Sequence, residues 1–217
     1  MAQQKDQMAN NELNPRELFK ISGEFTKTCT LHAAVKLDIF SALGEAACTA
    51  PEVAQAVSAN TRATEVLLNA LCAMGLIIKH GDQYTNTQLS KTFLQRSSPK
   101  YIGYMIQHHA NILRGWARLE EAVTTGKPVH DRLLHQDPKA RENFIMGMFN
   151  TAMGLAPQIA GLVDLSDRKR LLDLGGGPGT YAIHFCKANP NLRATVADLG
   201  TTRPFAENTI HQFTLSE

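Results

Sequence analysis

The sequence of this protein lacks the features that mark several large classes of protein. Its 22 Lys and Arg nearly balance its 20 Asp and Glu, and the net charge of +2 predicts no strong attraction to nucleic acid or to an anionic membrane. The four cysteines are far apart and form no CxxC pair, which favours reduced thiols in a cytoplasmic protein over a metal site. The polar N-terminus has no apolar segment of the kind found in signal peptides.

Long hydrophobic runs are also scarce, and one stretch needs separate treatment. Residues 143–163 carry no charge and are numerous enough to span a bilayer. They include two asparagines, a glutamine, a proline and three glycines, a composition that is too polar for a membrane span. We therefore expect a buried helix that is interrupted at Pro157, and no membrane partner.

The N-terminal half contains a series of helical patterns. Apolar residues recur every three or four positions from Pro15 to Leu43, which predicts a helix. Thr49 followed by Glu52 is a capping-box signature that starts a short helix, and a second helix is predicted at 61–74. The apolar side of this second helix is predicted to comprise Val66, Leu67, Ala70, Leu71 and Met74. Residues 76–85 then form a β-hairpin turning at Gly81 and Asp82, which completes the order of a winged-helix domain.

The character of the sequence changes at Lys169. Before this point, further helices are predicted at 87–95, 100–124 and 137–163. After it, short apolar strands at 170–174 and 193–197 flank a glycine-rich turn and a helix at 180–188, and a last helix is predicted at 202–213. Strand, helix and strand in this order form a βαβ unit, so the two strands should be parallel.

These changes divide the chain into four predicted segments. Hydrophobic residues make up 43% of the sequence, enough for a sizeable core. The segments are a disordered or swapped tail at 1–14, a helical and winged-helix domain at 15–125, connecting helices at 126–168, and a partial α/β domain at 169–217.

The segment Leu171–Tyr181, LLDLGGGPGTY, carries the chemistry of the α/β region. Glycines allow a tight turn between strand and helix and let a ligand approach the main chain closely. Asp173 ends the first strand, and Asp198 ends the second strand 25 residues later. A carboxylate at the second position can accept hydrogen bonds from both ribose hydroxyls of a bound nucleoside.

The identity of that nucleoside is not decided by the glycine pattern. Read from Gly175 the nicotinamide-type GxGxxG pattern fails at Thr180, whereas read from Gly177 a GxGxxA version matches. Asp173 favours a ligand with a positive group, such as the amino group of S-adenosylmethionine (SAM), because a carboxylate would repel a pyrophosphate. A turn that binds nothing is the remaining alternative.

These motifs resemble the class I O-methyltransferases of the caffeate and acetylserotonin type and their bacterial relatives. The resemblance extends from about Pro15 onward and is most specific in LLDLGGGPGTY and NPNLRATVADL. It implies SAM contacts by Gly175 and Asp198, with Leu199 beside the adenosine, although Gly200 stands where the family usually has proline. The full set of predicted cofactor residues is Asp173, Gly175, Gly176, Gly177, Gly179, Asp198 and Leu199.

The resemblance also implies a fold and a partner. It predicts a mainly α, winged-helix dimerisation domain followed by the start of an α/β, Rossmann-like methyltransferase domain, and a homodimer formed through the helical half. The segment that holds Phe144 and Met148 resembles the family helix beside the SAM and substrate cavity, although both residues could equally be plain core. No metal site is expected, since His108 and His109 are adjacent and point to different faces of a helix.

The predicted function is SAM-dependent O-methyl transfer to a hydroxyl of a small aromatic or polycyclic acceptor. Only two strands of the family's sheet are recognisable, and no residue matches the downstream histidine base, so the sequence predicts that the catalytic part is missing and that the chain alone is nearly inactive. One alternative is a non-catalytic dimerising or regulatory protein. The others are a nicotinamide enzyme and a winged-helix DNA binder, the last disfavoured because the helix at 61–74 has only one arginine, Arg62.

Overall fold

The N-terminal region consists of short helices packed around a small antiparallel sheet. The computed structural model describes residues 14–129 and 137–215, so most of the predicted tail at 1–14 lies outside the described residues. The first helices are α1 (Arg16–Gly23), α2 (Phe25–Lys36), α3 (Ile39–Leu43), α4 (Ala50–Ala56), α5 (Thr61–Ala73) and α6 (Gln88–Phe93). The strands between them are β1 (Cys48–Thr49), β2 (Ile77–His80) and β3 (Gln83–Asn86).

The prediction of a single helix from Pro15 to Leu43 is wrong, because the helix is interrupted at Glu24 and again near Asp38. Asp38 has a left-handed backbone with φ of 60° and precedes α3. Its carboxylate accepts a hydrogen bond from the Ser41 hydroxyl at 2.7 Å and forms an ion pair with Arg96 at 3.0 Å. These contacts hold an unusual backbone conformation that ends α2.

The predicted winged-helix arrangement is confirmed. The Thr49 N–H donates to the Glu52 carboxylate at 2.7 Å, so the capping-box glutamate starts α4 as expected. Strands β2 and β3 pair antiparallel around the predicted turn, with Lys79 opposite Tyr84. Strand β1 adds a third member that the sequence patterns did not predict, pairing Cys48 with Tyr84.

The core of this region lies between α2 to α5 and the hairpin. The buried face of α5 is formed by Thr64, Leu68 and Leu71, whereas Val66, predicted to be on the apolar side, is exposed. The spacing of four and three places the buried residues on one stripe, and Val66 lies on the opposite side of the helix. The largest fully buried side chains are Tyr84, Phe40, Ile39, Leu43, Leu68, Leu71, Val35 and Val53.

A second helical layer connects this region to the α/β unit. Its members are α7 (Gly103–Trp116), α8 (Leu119–Thr125), α9 (Pro138–Met153) and α10 (Ala156–Leu162). The predicted interruption near Pro157 is confirmed, since α9 ends at Met153 and the proline lies in the first turn of α10. None of the helices within 14–129 and 137–215 has both the length and the apolar character that crossing a membrane requires.

The C-terminal region is the predicted βαβ unit followed by one more helix. It consists of β4 (Arg170–Leu174), α11 (Thr180–Ala188), β5 (Arg193–Ala197) and α12 (Arg203–Gln212). The strands pair in parallel, with Arg170 opposite Arg193 and Leu174 opposite Ala197. One face of this sheet is exposed among the described residues, where Leu172 and Leu174 on β4 are 64% and 81% exposed.

Candidate functional site

The turn between β4 and α11 has a backbone that requires glycine. Gly175, Gly177 and Gly179 have φ of 71°, 56° and 78°, a left-handed region that disfavours residues with a Cβ. The Gly175 N–H donates to the Ala197 carbonyl at 2.7 Å, which ties the start of the turn to the end of β5. Gly179 is the N-cap of α11, so the turn leads directly into the helix N-terminus.

The predicted residue Asp173 lies under this turn. A Cβ on Gly176 would lie 2.6 Å from the Asp173 Cγ, so only glycine permits this close contact. The Asp173 Oδ2 atom is buried and accepts no hydrogen bond from the described residues. A buried carboxylate oxygen without a donor is costly, which makes it a suitable position for a cationic or donor group of a ligand.

The second predicted carboxylate, Asp198, lies at the end of β5 on the other side of the turn. It accepts hydrogen bonds from the Gly177 N–H at 2.8 Å and the Leu199 N–H at 2.6 Å. These two bonds hold the pKa of Asp198 below its ordinary value, with the Gly177 bond as the larger cause. An ionised carboxylate has about four acceptor positions, so further hydrogen bonds remain possible.

A large cavity opens in front of both carboxylates. Its volume is about 1030 Å³, and it extends from the glycine turn to the facing sides of α7 and α9. Asp173, Gly175, Gly176, Gly177, Asp198 and Leu199 all border it, so the structure brings together six of the seven predicted cofactor residues. The seventh, Gly179, does not border the cavity, and a Cβ at this position would lie 3.3 Å from Val196 Cγ2 and 3.6 Å from Ile210 Cγ1.

The two predicted substrate residues border the same cavity. Phe144 and Met148 lie one turn apart on α9 and are 44% and 38% exposed. They are therefore not plain core side chains, the alternative that the sequence left open. They place an apolar surface opposite the polar cofactor end of the cavity.

Three polar residues of the cavity wall were not among the predicted site residues. His108 and Asn111 on α7 border the cavity, as does Thr180 at the start of α11. Their positions depend on the packing of α7 against α9 and against the turn, for which the sequence carries no local signal. Within the described ranges, no group of three His, Cys, Asp or Glu side chains could hold a metal ion.

Comparisons with protein-family models agree with a helical N-terminal region followed by an α/β region. Residues 19–96 match the O-methyltransferase dimerisation domain, and residues 116–214 match the O-methyltransferase domain. Between them, the two models match more than half of the chain.

Individual relatives and solved structures point to the same group. The chain is 36% identical to a 3-hydroxy-5-methyl-1-naphthoate 3-O-methyltransferase of Streptomyces sahachiroi, over 85% of this chain and 55% of the relative. It is 31% identical to the tetracenomycin polyketide synthesis 8-O-methyl transferase of Streptomyces glaucescens, over 88% and 58%. Human N-acetylserotonin methyltransferase in complex with SAM matches with a TM-score of 0.78 and 25% identity, over 92% and 63%.

The chain spans little more than half the length of the two curated relatives. The matches nevertheless cover both the helical region and the glycine turn, in the order that the family requires. The chain belongs to the O-methyltransferase family in which a dimerisation domain precedes the O-methyltransferase domain.

Proposed function

We propose that the protein is a SAM-dependent O-methyltransferase and that this chain holds the cofactor in the turn after β4. The observation that carries the proposal is the pair of carboxylates on either side of one glycine turn, both facing the same cavity. One of them, Asp173, has a buried oxygen without a hydrogen-bond donor among the described residues. A sulfonium nucleoside with an amino group offers partners for both.

The residues present fit SAM in their chemistry. Asp173 would accept hydrogen bonds from the amino group of the methionine part, which compensates its buried charge. Asp198 would accept hydrogen bonds from the ribose hydroxyls while it keeps its bonds to Gly177 and Leu199. Leu199, exposed at the cavity edge, would pack against the adenine ring.

When bound, SAM supplies a methyl group that is electrophilic because it is attached to a positively charged sulfur. The task of the protein is to orient the acceptor oxygen and to exclude water from the reacting groups. In this chain Phe144 and Met148 would hold the acceptor by its apolar surface. We assign no residue of the described ranges to removal of the acceptor proton.

The acceptor proposed is a small aromatic or polycyclic compound with a hydroxyl group. The two Streptomyces relatives are named for a hydroxynaphthoate and for a tetracenomycin polyketide, both fused-ring compounds. A cavity of about 1030 Å³ with an apolar wall has room for such a ring system beside the cofactor.

We also propose that the chain forms a homodimer through its N-terminal helices. The dimerisation-domain match begins within α1. Phe19 and Phe25 are 73% and 60% exposed, and Leu18 and Ile21 are exposed beside them. Apolar side chains in such a patch are usually covered by a partner.

The four cysteines are unpaired, which fits a cytoplasmic setting.

Binding of the product cofactor tests the proposal without requiring turnover. We expect calorimetric titration of the 217-residue chain with S-adenosylhomocysteine to show saturable binding at one site per chain. Titration with NAD should give no heat, because the Asp173 carboxylate repels a pyrophosphate. Absence of heat with S-adenosylhomocysteine, or preference for NAD, would overturn the proposed cofactor.

A further inference from the structure

Helices α7 and α9 run antiparallel and form one wall of the cavity. They approach closely at Gly147, where a Cβ would lie 3.1 Å from the Met105 Cα. One turn along each helix, the rings of His108 and Phe144 are 5.2 Å apart and inclined by 52°. Beyond this contact, Asn111 and Ile112 border the cavity. This part of the wall therefore combines an aromatic surface with two polar side chains.

The side-chain amide nitrogen of Asn111 has no hydrogen-bond partner among the described residues. Its Nδ2 atom is buried, and no described residue accepts a hydrogen bond from it. An amide nitrogen is a donor only, so the group that would satisfy it must be an acceptor. A buried donor without an acceptor destabilises a protein, and an acceptor atom of a ligand in the cavity that Asn111 borders would satisfy it.

His108 adds a second group of suitable chemistry. It lies three residues before Asn111, so the two side chains share one face of α7. Burial, with a smaller contribution from His109, lowers the pKa of His108 below its ordinary value. The imidazole is therefore neutral near pH 7, with one N–H donor and one acceptor nitrogen.

We propose that His108 and Asn111 form a hydrogen-bonding subsite that selects acceptors with a carbonyl or carboxylate oxygen on an aromatic ring. The inference rests on the proposed function and specifies its acceptor. The ring packs against Phe144 while its oxygen accepts a hydrogen bond from the Asn111 amide and from the imidazole N–H. Arg141, which interacts with another group, borders the same cavity and adds positive charge. Phenols without such an oxygen leave the amide unpaired and bind more weakly.

Two probes that differ by one group test this subsite. The chain, saturated with S-adenosylhomocysteine, is titrated with 3-hydroxy-1-naphthoate and with 2-naphthol, which lacks the carboxylate. We expect Asn111→Leu and His108→Phe each to weaken binding of the naphthoate about tenfold, because each removes one hydrogen bond. Binding of 2-naphthol should stay within about twofold, since the apolar contact with Phe144 remains.

A matched variant controls for the histidine change. His109→Phe makes the same substitution at the adjacent, exposed position, which does not border the cavity, and should change neither affinity. Equal losses for both probes, no loss for the naphthoate, or no binding of either probe to the unaltered chain would overturn the inference. Failure to bind S-adenosylhomocysteine would instead overturn the proposed function, and the inference with it.

Discussion

At the scale of single residues, Asp198 stabilises the backbone of the turn and also provides the carboxylate that we propose binds the ribose. Its carboxylate accepts hydrogen bonds from Gly177 and Leu199, which fixes the backbone on both sides of the cavity entrance. The pKa of Asp198 is depressed in the folded protein, so its stabilising contribution is present above the ordinary aspartate pKa. This contribution is lost only as the pH falls through the depressed value.

Replacing this carboxylate by an amide should weaken cofactor binding more than it changes the fold. We expect Asp198→Asn to lower the affinity for S-adenosylhomocysteine by at least about tenfold, because charge-assisted hydrogen bonds contribute about 1.5–3 kcal/mol. Calorimetry measures the change. Asp164→Asn, in an exposed loop where Asp164 accepts a hydrogen bond from the Ser166 N–H at 3.0 Å, is the matched control and should bind normally. Equal affinity of the two variants would show that Asp198 does not contact the cofactor.

The structure indicates a conformational role for Gly179 at the start of α11, which differs from the predicted cofactor contact. Its φ is 78°, and a Cβ would lie 3.3 Å from Val196 Cγ2. Gly179→Ala should therefore lower the free energy of unfolding by about 1–3 kcal/mol, as measured by urea denaturation. Gly161→Ala, on an exposed part of α10 with nothing within 4 Å, should be neutral or slightly stabilising. Similar effects of both substitutions would contradict the conformational explanation.

At the scale of helices and strands, the contact between α7 and α9 determines the width of the cavity. Gly147 is buried and faces the backbone of Met105, so α7 cannot move away from an added methyl group without shifting as a unit. Gly147→Ala should lower the free energy of unfolding by about 1–3 kcal/mol, because overpacking at a backbone contact is not relieved by a rotamer change.

The comparison for this helix contact is Gly154→Ala. Gly154 lies just after α9, and its nearest contact would be an ordinary 3.9 Å to the Thr151 carbonyl. Urea denaturation of both variants measures the difference. If the two variants had the same free energy of unfolding, the close approach of α7 and α9 would not exclude a methyl group at position 147.

Elements whose signals are local could be predicted from the sequence. The capping box at Thr49 and the hairpin turn at Gly81 each depend on residues a few positions apart, and both are confirmed. The parallel βαβ unit depends on the order of adjacent segments and is also confirmed. Because parallel strands end on the same side of a sheet, that order also places the carboxylates of Asp173 and Asp198 at one sheet edge.

Features that depend on distant residues could not be predicted in this way. The helix break at Asp38 is stabilised by an ion pair with Arg96, far along the chain, and β1 is defined by its pairing with β3, where Cys48 lies opposite Tyr84. His108 lies on a half-buried helix face among other polar residues, and only the packing of α9 turns that face into a cavity wall. No spacing within α7 distinguishes such a histidine from a surface one.

At the scale of the whole molecule, the exposed apolar side chains of α1 and α2 form the surface through which we propose that two chains associate. We expect the protein to sediment as a dimer, since Phe19 and Phe25 are 73% and 60% exposed in a single chain. Phe19→Asp combined with Phe25→Asp should shift it to a monomer in sedimentation velocity, because each charge would be buried without a partner. Lys20→Asp changes the charge of the same helix without removing apolar surface and should remain dimeric. A monomeric unaltered chain would contradict this proposal.

A crystal structure of the chain grown with S-adenosylhomocysteine would show directly whether the turn after β4 binds the cofactor. We expect the ligand in the turn after Leu174, with its amino group beside Asp173 and its ribose hydroxyls on the Asp198 carboxylate. A ligand bound elsewhere, or a turn that stays empty at saturating concentration while the protein is folded, would contradict the proposed site.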